Sequence, residues 1–162
     1  MQILSRASAC VVVGVAALFV ASAAHAQAPE PIVGTWKLDV AKSTYKPGPA
    51  PKTSTLIIEP VGKGGMKVAV DAVQGDGTPL KWGFTTLRDG KEEAPVTGNP
   101  MYDVVVATRK SAHAGTNVYK KAGKVVMTTQ AAISADGKTI TLTTTGTDPK
   151  GQKVHNVAVY TK

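Results

Sequence analysis

KVVMTTQAAISADGKTITLTTTGTDPKGQKVHNVAVYT, residues 124–161, holds three β-type runs at 124–133, 139–147 and 153–161. Asp136-Gly137 and Asp148-Pro149-Lys150-Gly151 separate them. Such turns supply the positive φ angles that tight hairpins need. The threonine-heavy middle run alternates Ile140 and Leu142 with Thr, the pattern of a half-exposed strand. Upstream the same grammar repeats, with runs at 33–40, 54–59, 66–74, 79–88, 91–96, 102–110 and 116–121. Their separators are Gly62-Lys63-Gly64-Gly65, Gly75-Asp76-Gly77, Asp89-Gly90, Gly98-Asn99-Pro100 and Ala122-Gly123. No stretch sustains a helical period. The expectation is an all-β fold, an antiparallel up-and-down meander of about 8–10 strands closed into a barrel, which removes exposed edges. A two-sheet sandwich would accommodate the same strands. Lys-rich strands, few aromatics and a final Lys162 argue against an outer-membrane barrel.

The chain of 162 residues is about one domain long, and 43% hydrophobic with 19% charged residues is an ordinary globular composition. A multidomain enzyme and a polytopic membrane protein are excluded. Residues 1–26 read as a secretory signal peptide: Arg6 in the n-region, an apolar run from Val11 to Ala24, and Ala24-His25-Ala26 as the cleavage site. The expected product is a single domain, 27–162, in the periplasm or outside the cell. Cys10, the only cysteine, leaves with the leader, so disulfides, thiolate metal sites and a Cys nucleophile are not expected.

Gly34-Thr35-Trp36 opens the first strand of this meander. A Gly-x-Trp in that place resembles the lipocalin and fatty-acid-binding (calycin) group, here in an exported, bacterial-type form. The resemblance implies a barrel that takes a small hydrophobic ligand inside. It also implies that Trp36 plugs one end beneath a stacked basic side chain, for which Arg88 is the candidate. Two departures stand out. Fatty-acid binders carry Arg-x-Tyr on the last strand, whereas this chain has Ala158-Val159-Tyr160, so Tyr160 stands alone and deep capture of a carboxylate is not expected. The helical pair after the first strand is replaced by residues 41–52, where Pro47, Pro49 and Pro51 forbid a helix.

Alternation along strands assigns the interior. Leu80, Trp82, Phe84, Thr86 and Arg88 share one face. So do Tyr102, Val104, Val106 and Thr108; Val125, Met127, Thr129 and Ala131; and Asn156, Ala158 and Tyr160. From these, Trp82, Phe84, Val104, Val106, Met127 and Tyr160 are the expected ligand-binding set. Alternating hairpins gather Lys120, Lys121, Lys124 and Lys150 at the pole opposite Trp36 as a basic mouth, suited to an anionic ligand or transient contact with an anionic membrane surface.

Enzyme signatures are missing. His113 and His155 lack metal-ligand spacing, there is no Gly-x-Ser-x-Gly, and Glu92 and Glu93 point to opposite faces of a strand. Gly62-Lys63-Gly64-Gly65 lacks the ending and helix of a phosphate loop. No catalytic residue, cofactor or metal is expected. With arginine only at 88 and 109 after the leader, neither is a nucleic-acid partner. The leading expectation is a monomeric exported barrel binding a small hydrophobic or amphipathic molecule. The alternative is an interaction module, an inhibitor or envelope-assembly protein with a filled core, working through the Pro-rich segment 41–53.

Overall fold

The turns that punctuate the sequence close hairpins as their chemistry dictates. At Asp136-Gly137 the glycine takes φ +68° and donates to the Ser134 carbonyl at 2.9 Å, while the Asp136 carboxylate accepts from the Lys138 N–H at 3.0 Å. The computed structural model describes residues 30–62 and 64–162. The expected leader with Cys10, and Lys63 in the Gly62–Gly65 turn, lie outside the described residues.

Ten strands follow in chain order: β1 (Gly34–Leu38), β2 (Thr53–Val61), β3 (Gly65–Val73), β4 (Pro79–Thr86), β5 (Ala94–Pro95), β6 (Val104–Arg109), β7 (Ala114–Lys121), β8 (Lys124–Ile133), β9 (Thr139–Thr147) and β10 (Lys153–Thr161). They form one antiparallel sheet in the order β4-β3-β2-β1-β10-β9-β8-β7-β6-β5. Every strand therefore pairs with its sequence neighbours except β4 with β5, and the two ends of the meander, β1 and β10, pair with each other. Between β1 and β10 the meander closes, through Lys37↔Thr161 and Leu38↔Tyr160. Between β4 and β5 it is only stitched, by reciprocal 3.0 Å bonds joining Gly83 and Thr97. The barrel is thus nearly closed, with its seam at β4–β5. Gly98 sets the tightness of that seam, since a Cβ there would sit 2.2 Å from the Lys81 carbonyl oxygen.

The Pro-rich segment is part of the wall. After a 3-10 turn at Val40–Lys42, Thr44 exchanges two 2.8 Å backbone bonds with Val157, and the Lys46 carbonyl accepts from the His155 N–H at 2.9 Å. It pairs the length of β10 that short β1 leaves uncovered, so backbone groups that would face an open edge are satisfied.

Trp36 is fully buried at the pole where β1 begins, within a cluster that includes Leu56, Ile58, Met66, Ile140 and Tyr160. Its indole N–H donates to the Ile32 carbonyl at 2.9 Å. The cation over its ring is Lys162, with Nζ 4.4 Å from the centroid and 2.9 Å from the Pro31 carbonyl. Arg88, the residue expected there, turns instead to Glu30 at 2.9 Å. The lead-in, residues 30–33, lies across this end and takes the arginine for itself.

Trp36→Ala is expected to lower stability by about 3–5 kcal/mol, the range for deleting a large buried aromatic. Lys162→Ala should cost no more than about 0.5–1 kcal/mol through the cation–π contact. Urea unfolding of both variants checks the order, and an unchanged midpoint for Trp36→Ala would remove the plug.

Candidate ligand cavity

A cavity of about 650 Å³ runs through the barrel from the Pro-rich strap to the Trp36 pole. One wall is aromatic. Trp82 and Phe84 come from β4, Tyr119 from β7, and Tyr102 from the turn before β6. Trp82 meets Tyr102 edge-on at 5.5 Å and Tyr119 at 6.3 Å, while the two tyrosine rings lie 4.4 Å apart. Leu56, Val68, Val70, Met127 and Leu142 supply aliphatic surface around it.

The polar atoms of this interior bond chiefly to each other. Ser54 Oγ and the Tyr160 hydroxyl share a 3.0 Å hydrogen bond, Thr129 and Thr144 share one of 2.7 Å, and Asn117 donates to the Tyr119 oxygen at 3.3 Å. What remains for an occupant is mostly apolar wall with satisfied hydroxyls, the usual lining of a small-molecule site. The open end is framed by Lys46, Pro47, Pro49, Pro51, Lys150 and Gln152, and the opposite end by Arg88 and Arg109.

Of the expected ligand set, Trp82, Phe84, Met127 and Tyr160 line the cavity, and Val104 and Val106 do not. On β6 the inward residues are Val105 and Ala107, both buried. Tyr102 does face inward, but residues 99–103 are not strand, so the alternation does not carry across them. Val125 is likewise turned out, 60% exposed, because the register shifts by one residue between Tyr119↔Met127 and Lys120↔Val125. A bulge reverses every side chain beyond it. Tyr119, Asn117 and Ser54 belong to the cavity without having been singled out. Alternation along 116–121 puts Asn117 and Tyr119 on one face, so that part of the wall was within reach of the pattern.

The basic mouth is smaller than expected. Lys120, partly buried, pairs with Glu93 and exposed Lys121 lies 3.9 Å from Asp103, while Lys124 stands exposed at the hairpin end. Only Lys150 of the expected four lines the opening, joined by Lys46 and faced by Asp148. Strand order places Asp103 and Asp148 at the same pole as these lysines, and Glu93, from the segment before β5, joins them.

No protein-family model matches the chain, and no curated protein matches it in sequence. Solved structures do match in shape. The wild-type fluorescent protein UnaG shares 21% identity at a TM-score of 0.53, covering 82% of this chain and 98% of that one. A point mutant of UnaG gives the same identity and score over 82% and 96%. A redesigned β-barrel, mFAP1, bound to DFHBI, matches at 14% identity and a TM-score of 0.44, over 82% and 95%. The UnaG likeness is one of fold, and the chain is an all-β, ten-stranded calycin-like barrel.

All four tyrosines feel this interior. Burial pushes the Tyr119 phenol up to about 12, and it raises Tyr45, Tyr102 and Tyr160 in the same direction from the ordinary value near 10. Because the folded values are raised, their contribution to stability is whole below about pH 10 and is lost as pH climbs beyond it. Absorbance at the phenolate band should stay low in the native protein at pH 10–10.5 and rise together with unfolding. Half-ionised tyrosine in a folded chain at that pH would contradict the burial.

Proposed function

We propose that this chain is an exported binding protein that holds one small hydrophobic or amphipathic molecule inside its barrel. The observation that carries the reading is the 650 Å³ cavity with its aromatic wall. Small-molecule pockets span roughly 300–1,000 Å³ and are lined mainly by apolar and aromatic groups with a few polar ones. A filled core, on which the alternative of a purely loop-borne function depended, does not suit this interior. The strap of Pro47, Pro49 and Pro51 lines the same cavity, so its stiffness serves the opening rather than a separate surface. Export rests on the leader-like sequence at 1–26 alone.

Among the described residues there is no group of three His, Cys, Asp or Glu that could hold a metal. The cavity's midsection pairs Ser54 with Tyr160, Thr129 with Thr144 and Asn117 with Tyr119, and its charged side chains stand at the two ends, an arrangement suited to binding. Lys46 and Lys150 at the opening favour approach of an anionic molecule, an effect screened beyond about 8 Å at physiological salt.

Titration with a fluorescent fatty-acid or retinoid analogue should change Trp82 emission and saturate at one molecule per chain. Ala131→Phe, which places a ring in the cavity, should weaken binding by about tenfold or more while the thermal midpoint holds. No saturable signal with fatty-acid, retinoid or sterol probes would overturn the proposal, as would full binding by Ala131→Phe.

A further inference from the structure

One row of the barrel interior is polar from strand to strand. Asn117 of β7 stands opposite Thr129 of β8, Thr129 opposite Thr144 of β9, and Thr144 opposite Asn156 of β10, and all four line the cavity. The rows on either side are mostly apolar. Towards the opening the same strands set Tyr119, Met127, Gly146 and Val154 in line, and towards the Trp36 pole Gly115, Ala131, Leu142 and Ala158. Four strands thus carry amides and hydroxyls in a single belt about 14 Å long, three strand spacings.

Every side chain of the belt has one partner, and what is left over is chiefly donor. Thr129 and Thr144 share a bond of 2.7 Å, which spends one O–H and leaves the other. Asn117 donates to the Tyr119 oxygen at 3.3 Å, so the Tyr119 hydrogen and the second amide hydrogen of Asn117 find no acceptor among the described residues. Asn156 accepts from the Lys46 N–H through Oδ1 at 3.1 Å, and its NH2 group has no acceptor among them either. Against these stands one free oxygen, Oδ1 of Asn117. A methylene chain laid over such hydrogens offers them nothing, and a buried donor is left unmet more rarely than a lone pair.

The belt ends against the aromatic wall. Tyr119 is one inward position on from Asn117, and its ring lies 4.4 Å from that of Tyr102 and 6.3 Å from that of Trp82. Aromatic surface and a line of donors therefore meet at one corner of the cavity. We propose that this corner selects a flat, conjugated ring system bearing carbonyl oxygens, of the quinone or flavone kind, with its rings against the aromatic wall and a carbonyl accepting from the belt. The inference rests on the binding function proposed above and names the ligand class. Rings suit the wall because aromatic groups gain beyond their buried area when they stack or meet edge-on. A ring carbonyl suits the belt because it brings an acceptor and no donor of its own.

The test uses the full chain with fluorenone and fluorene, tricycles of one outline that differ by a carbonyl oxygen, each displacing the fluorescent fatty-acid analogue from the cavity. Fluorene is the more apolar and would bind more tightly to a purely apolar interior. Fluorenone should instead bind about tenfold more tightly, the scale of one hydrogen bond. Two variants each remove a matched pair whole, so that no partner is stranded: Thr129→Val with Thr144→Val, and Asn117→Leu with Tyr119→Phe. In one or both the fluorenone advantage should fall about tenfold while fluorene loses nothing. Three results would overturn the belt and leave the cavity function standing: fluorene binding the wild-type chain as tightly as fluorenone, an advantage that survives in both variants, or a bound lipid that neither tricycle displaces. If neither the lipid analogue nor either tricycle binds, both are overturned.

Discussion

A five-residue strand has to close a ten-stranded barrel. β1 hydrogen-bonds to β2 along Gly34–Lys37 but reaches β10 only at Lys37 and Leu38. Closure at this point is what makes an inside, because the sheet would otherwise be an open ribbon with its apolar face in water. Two devices compensate for the shortness of β1. Trp36 fixes its start by filling the pole beneath Lys162, and the strap from Thr44 to Lys46 takes over the remaining edge of β10. A helix after β1 could not have done the second job, since it has no free backbone groups to lend to a strand edge. The prolines that forbid a helix there leave an extended chain able to pair.

The interior follows from that closure. Ten strands round a barrel enclose more volume than these side chains fill, with Ala72, Ala131 and Ala158 among the lining residues. Hydroxyl and amide groups inside are matched in pairs, such as Ser54 with Tyr160 and Thr129 with Thr144, so desolvation leaves few unmet partners. Charge is held at the two ends, with lysines at the opening and the arginine pair at the floor. An amphipathic occupant would meet apolar wall along its length and cations at its limits.

Most of the architecture was legible because turn chemistry is local. Asp136-Gly137, Asp148-Pro149-Lys150-Gly151 and their counterparts specify hairpins with few residues, and every run they separate is a strand. The run expected at 91–96 survives only as Ala94–Pro95, because the turn after β4 draws on the Asp89 and Glu92 side chains. Side-chain direction was legible only where a strand ran without interruption. It held from Leu80 to Thr86 and from Asn156 to Tyr160, and failed across the irregular residues before β6 and at the bulge in β8. Partner choice at the poles depended on contacts distant in sequence. Lys162 lies 126 positions from Trp36, and Glu30 lies 58 from Arg88, so no local pattern could assign them.

Occupancy of the barrel can be weighed directly. Native mass spectrometry of the full chain, incubated with an excess of an equimolar mixture of fatty acids, fatty alcohols and retinoids, separates one internal site from surface adsorption. A barrel that holds its ligand inside should saturate at a single adduct per chain, enriched in some of the offered molecules, with no second adduct at higher excess. A statistical ladder of adducts mirroring the composition of the mixture, or an unliganded chain throughout, would contradict an internal binding site.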